Sequence, residues 1–198
     1  MKPIPDSEIA RHADRLLRGT SEPFLVNHCL RSYLWGVALA EVEGLAFDAE
    51  LLFVSAALHD LGLVPQFDTG APFEYDSSTA AHEFAQMHGW PTRKSAVAEE
   101  AIVLHVAPDV TLDHGAEAHL LWHATAVDVT GSRLDELPAT TITQVLSNYP
   151  RLDFTAGFGK LFASQARQKP TSRAAQLVGA GLLERLDACV LSQPSPDS

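Results

Sequence analysis

Positive charge is scarce in this chain. Lysine and arginine together number 14 against 25 aspartates and glutamates, a formal charge of −11, which argues against a nucleic-acid backbone as main partner because phosphate binding needs a basic surplus. The same deficit weighs against a highly anionic substrate, although a local basic pocket can sit on an acidic protein. Long apolar runs are missing too. None approaches the roughly 20 residues that span a bilayer, and Met1–Asp6 opens no apolar signal segment, so the expectation is a soluble, cytoplasmic protein that does not bind membranes. Of two cysteines, Cys29 and Cys189 lie at opposite ends of the sequence without metal-type spacing, which fits inert thiols in a reducing compartment. Alternating strand patterns, internal repeats and long linkers are absent as well.

What remains is helix. With 198 residues, 46% of them hydrophobic and 20% charged, the chain reads as one globular all-α domain over 1–191, with a flexible tail at 192–198. Apolar spacing and end signals predict helices over Ser7–Arg18, Pro23–Glu43 and Asp48–Gly62. A loop from Leu63 to Tyr75 follows, apolar enough to act as a lid. Further helices are expected from Asp76 or Ser77 to His88, from Thr92 to just before Pro108, and over Gly115–Thr130, Pro138–Asn148, Leu152–Gln168 and Ser172–Leu191. Phe154, Phe158, Leu161 and Phe162 recur at helical spacing and read as core or a dimer face, which leaves a homo-oligomer open.

Against this apolar background, four polar groups stand on inward helix faces: His28, the adjacent pair His59–Asp60 at the end of Leu51–Leu58, and Asp128. A buried imidazole or carboxylate must be paired, hydrogen-bonded or bound to a metal. Two of each, from three helices, form a mixed nitrogen and oxygen set suited to one divalent transition metal, with zinc foremost and iron, manganese or nickel as alternatives. Arg31, one turn from His28, reads either as a binder of an anionic group or as a salt-bridge partner of Asp60 or Glu74. Phe73 joins Trp35, Phe67 and Trp90 as a core or lid aromatic and is the one held as a substrate contact. His119 and His123 share a face but lie off that of Asp128, and His82 and His88 are possible recruits for a second metal.

The order His28, His59–Asp60, Asp128 resembles the HD-domain superfamily of metal-dependent hydrolases. The strings Asn27–Tyr33, Ala57–Gly62, Phe73–Asp76, Ala101–His105 and Asp128–Gly131 resemble its cyanamide hydratase-like branch, while Asp76-Ser77-Ser78 departs from it. The resemblance covers about 24–131. It implies a helical bundle of the HD type in which His28, His59, Asp60 and Asp128 hold the metal. It also implies that Glu74 orients water or substrate, and that His105 donates to the substrate or holds the pocket. Asp60 or Glu74 would then relay a proton while metal-activated water attacks a small neutral molecule, cyanamide (giving urea) or another nitrile-like compound. The alternatives are a phosphohydrolase of the same superfamily acting on a nucleotide or other phosphate ester, and a non-catalytic metal-stabilised module.

Overall fold

The computed structural model describes residues 4–192; most of the tail expected at 192–198 lies outside them. Among the described residues there are ten α-helices and no strand: α1 (Glu8–Thr20), α2 (Pro23–Glu43), α3 (Ala49–Leu58), α4 (Phe73–Met87), α5 (Thr92–Leu104), α6 (Ala116–Thr130), α7 (Ala139–Asn148), α8 (Phe154–Gln168), α9 (Arg173–Gly179) and α10 (Leu182–Asp187). Several starts follow side-chain chemistry written in the sequence. Ser7 and Ser172 each accept an N–H bond as N-cap, Asp48 accepts two, and Pro23 occupies the first turn of α2, where its missing N–H costs nothing.

The centre of the bundle is made by α2 and α3. Every residue from His28 to Ala40 and from Leu51 to Leu58 is buried, so neither helix has a polar face to give to water, and both must be enclosed. Helix α2 runs between α3 and α6, α4 pairs with α5, and α1 packs against α3. Gly36 marks the close approach, since a Cβ there would lie 3.2 Å from Leu52 and 3.7 Å from Ala124. A second apolar cluster joins Leu25 and Val129 to Phe154, Phe158, Phe162, Leu182 and Leu186. Burying each of those phenylalanines contributes about 1.5–3 kcal/mol, and this packs the C-terminal helices onto the ends of α2 and α6. No described helix is long and apolar enough to cross a membrane.

Three boundaries differ from expectation. Helix α3 stops at Leu58, and Leu61–Leu63 form a 3-10 turn, so His59 and Asp60 lie at a change of backbone direction. Helix α4 begins at Phe73 rather than Asp76, because the two capping candidates are used elsewhere. Asp76 accepts from the Thr69 N–H and hydroxyl, and Ser77 accepts from the Gly62 N–H. The expected long helix over Ser172–Leu191 is broken between α9 and α10, where Gly181 takes a left-handed conformation (φ 82°) that other residues rarely adopt. Nor does the loop ahead of α4 act as a lid. Asp68 is bonded by Gln165 and Lys169 of α8, which fastens the loop to that helix, and no residue from Val64 to Pro72 faces the cavity at the histidines.

Candidate metal centre

The ends of two apolar helices build half of the site in the same way. His59 follows the last residue of α3 and His105 the last residue of α5, each as C-cap. The terminal carbonyls of a helix lack intrahelical partners, and each imidazole supplies one: Nδ1 of His59 donates to Ala56 at 2.7 Å, and Nδ1 of His105 donates to Ile102. With Nδ1 protonated, the lone pair of a neutral ring sits on Nε2 and faces inward. His28 reaches the same state by another route, its Nδ1 donating to Asp128 Oδ2 at 2.7 Å.

Three donor atoms then meet. His28 Nε2 and His59 Nε2 are 3.2 Å apart, and Asp60 Oδ2 lies 3.3 Å from the first and 3.2 Å from the second. Ligands held tetrahedrally at about 2.0–2.1 Å from zinc would be spaced by roughly 3.4 Å, so this triangle fits a divalent cation. Two further observations support the fit. Neutral rings of this tautomer would turn lone pairs toward each other, and both oxygens of Asp60, 1% exposed, have no hydrogen bond. A carboxylate buried this deeply needs positive charge beside it, and a bound cation supplies it. His105 Nε2 lies 3.6 Å from Asp60 Oδ1, beside the triangle.

Charge reinforces the arrangement. Burial alone would raise the carboxyl of Asp60, yet His59, His105 and His28 hold it well below the usual carboxylate range. Burial alone would lower His28, but the carboxylates of Asp128 and Asp60 outweigh it, and its pKa stands above that of an ordinary histidine.

The sequence expectation made Asp128 a fourth ligand, and the structure gives its carboxylate other work. Oδ1 accepts from Arg31 Nε at 2.7 Å and Trp35 Nε1 at 2.8 Å, and Oδ2 accepts from Arg31 Nη2 at 2.7 Å and His28 Nδ1 at 2.7 Å. Asp128 therefore grips the far nitrogen of His28, outside the cluster formed by His28, His59 and Asp60. Residues 28, 31 and 35 share one face of α2, so that helix presents N–H donors in a row to a single acid on α6. Arg31 is fully buried in this pair. It is bound to Asp128, not to Asp60 or Glu74, and faces no ligand cavity, which removes it from the substrate contacts. Phe154 stacks on His28 at 4.8 Å, closing the ring's other side.

A cavity of ≈ 300 Å³ opens from the cluster, at the lower end of small-molecule sites. His28, His59, Asp60 and His105 form its polar end, and Phe158 and Phe162 are among its apolar walls. Phe73 and Glu74, expected at the substrate, do not line it. Phe73 is buried behind the wall, edge-on to His105 and Phe162, and Glu74 lies buried in the first turn of α4 with Oε2 lacking a hydrogen bond. The earlier helix start carries both away from the loop that was to deliver them. The sequence reading missed Arg173 and Arg185, which do line the cavity and which no local pattern ties to residues so far back in the chain. The remaining histidines lie elsewhere: His82 pairs with Glu99, His119 with Glu43, and His88 meets His12 on the surface.

Known proteins match this chain over most of its length. The profile of the HD domain family matches residues 25–148. Two proteins of Saccharomyces cerevisiae, the cyanamide hydratases DDI2 and DDI3, are each 27% identical to this chain over 181 residues, 88% of this chain and 80% of theirs.

Proposed function

This chain belongs to the HD domain family, and from that premise we propose that it is a metal-dependent hydratase adding water to a small molecule with a carbon–nitrogen multiple bond, cyanamide being the first candidate. Its family and its relatives support a metal-dependent hydrolase or hydratase, and the name of those relatives suggests the substrate. The observation that carries the reading is the triangle of His28 Nε2, His59 Nε2 and Asp60 Oδ2, open on one side to a cavity and flanked by a further imidazole. Those three atoms would hold the ion, with zinc the proposed identity.

A divalent cation held by those three atoms would supply Lewis acidity, making a bound water acidic near neutral pH. The chain's residues do the rest. Asp128 and Ala56 hold His28 and His59 with Nε2 turned to the cluster, so neither ring must reorient. His105 Nε2, the basic nitrogen of the neutral ring because Nδ1 donates to the Ile102 carbonyl, takes the proton released by the attacking water and returns it to the substrate nitrogen. Asp60 Oδ1 lies close enough to steady the transient imidazolium. Phe158 and Phe162 give the cavity apolar walls beside these groups, which strengthens the electrostatic interactions among them.

The test is metal analysis of purified protein together with urea release from cyanamide. The expected result is close to one divalent ion per chain, loss of ion and activity together in His59→Ala, and in His105→Gln a retained ion with kcat lowered by about 10²–10⁴-fold. Urea formation at the unmodified rate by metal-free His59→Ala would overturn the proposal.

A further inference from the structure

The cavity carries a second polar feature that cyanamide does not use. Arg173 and Arg185, from α9 and α10, line it, and among the described residues no carboxylate lies within ion-pair distance of either. Each guanidinium is instead anchored by neutral acceptors. Arg173 donates from Nε to the Val106 carbonyl, one residue beyond His105, and from Nη1 to Gln176 Oε1; Arg185 donates from Nη1 to the Ala180 carbonyl. Such bonds fix the fork of N–H groups in place and leave its charge unneutralised. Acidic side chains outnumber basic ones 25 to 14, and Arg11, Arg18, Arg31, Lys94, Arg133 and Lys169 each hold a carboxylate, whereas the two arginines at the cavity keep their charge for what enters it.

Two other polar groups of the wall are already engaged. The hydroxyls of Thr125 and Thr130 donate back to Trp122 and Ala126 of their own helix, so free N–H donors come from the two arginines. We propose that Arg173 and Arg185 bind an anionic group of the substrate, a carboxylate or a phosphate, while its reacting centre faces His105 and the metal cluster. This deepens the hydratase reading and rests on it for the chemistry. The substrate class becomes a small anion bearing a nitrile-like group, larger than the three heavy atoms of cyanamide. The balanced step for a model substrate is cyanoacetate plus water giving malonamate: a C–O bond forms, the two C–N π bonds give way to an amide, both water hydrogens end on nitrogen or exchange with it, and nothing is oxidised or reduced.

Binding is measured by calorimetry on the metal-containing protein with malonamate, its neutral near-isostere malonamide, and inorganic phosphate. At low salt, malonamate is expected to bind at least 10-fold more tightly than malonamide, with the ratio shrinking as salt screens these partly exposed arginines. Arg173→Met and Arg185→Met should each lower the ratio toward unity, and Arg167→Met, exposed on α8 outside the cavity, should leave it unchanged. Phosphate binding more tightly than malonamate, with the same arginine dependence, assigns the anion to a phosphate. Equal binding of the acid and the amide, a ratio indifferent to both arginines, or no binding of either anion overturns the inference. Turnover read in parallel separates it from its premise. Arginine-dependent anion binding without hydration of cyanamide or cyanoacetate retains this inference and removes the hydratase reading, whereas brisk cyanamide hydration with anions ignored does the reverse.

Discussion

Replacing Asp128 with asparagine removes one charge and preserves shape, and its consequences follow from who surrounds it. Four N–H donors, two of them from a fully buried guanidinium, converge on the two oxygens at 2.7–2.8 Å. Asparagine offers one oxygen, and its amide nitrogen confronts an N–H of Arg31 or Trp35 as donor against donor. Despite its burial, Arg31 and His28 hold Asp128 far below the ordinary carboxylate range, so the charge is present at every working pH. Leaving one member of a buried ion pair unmatched costs about 3–5 kcal/mol, which for a chain of this size lowers the unfolding midpoint by roughly 6–20 °C. Because Asp128 acts on His28 Nδ1 rather than on the ion, metal affinity should weaken by about 10–100-fold without vanishing. Thermal unfolding and competitive metal titration measure the two effects separately. Adding Arg31→Met to the variant should recover part of the stability, since the unmatched guanidinium is then gone, but not the metal affinity. A variant that unfolds like the unmodified protein yet binds no metal would refute this account and make Asp128 a ligand, as the sequence pattern first suggested.

Gly62→Ala tests the junction behind the cluster: the added Cβ would lie 2.1 Å from the Phe73 carbonyl oxygen, which is backbone and cannot step aside. We expect a loss of about 1–3 kcal/mol or more in urea unfolding together with reduced metal content, because Asp60 is two residues away; unchanged stability would mean that α4 slides freely. The pH dependence has a source outside the site in His123, whose pKa is lowered to about 4 by burial and by the charges of Arg133 and His119. The unfolded chain binds the extra proton below about 6.5, so stability from this group is complete above that pH and is lost as pH falls toward 4. Urea midpoints measured between pH 4 and 7 should fall less steeply on acidification in His123→Gln, and an identical slope would exclude the assignment.

The degree to which this molecule can be read from its sequence differs from residue to residue, for physical reasons. His59–Asp60 stands out because an apolar run ends in two groups that packing never requires, and His105 ends α5 in the same manner, each after a leucine. The helices are legible where caps are local, as at Ser7, Asp48 and Ser172. The start of α4 is not, because Asp76 and Ser77 carry cap chemistry that is spent on Thr69 and Gly62, contacts that exist only once the chain has folded. Asp128 is visible as an acid on an inward face, but a face does not say which neighbour uses the charge. The spacing of His28, Arg31 and Trp35 on one side of α2 is the clue that three donors await one acceptor. For Arg173 and Arg185 there is no such clue, since their place at the cavity depends on the bend at Gly181 and on packing over the second apolar cluster.

That cluster has a consequence for how such a protein can diversify. The atoms that gather the ion lie between His28 and Asp60, with His105 and Asp128 beside them, all inside the stretch that matches the family. Much of the chamber they serve is closed by Phe158, Phe162, Arg173, Leu182 and Arg185, all beyond it. Donor atoms and much of the chamber wall thus come from different lengths of the same chain. Substitutions at Phe162, Arg173, Leu182 and Arg185, which touch none of the three donor atoms, would change which molecules are admitted, whereas Phe154 and Phe158, packed on His28, tie the same segment back to the cluster.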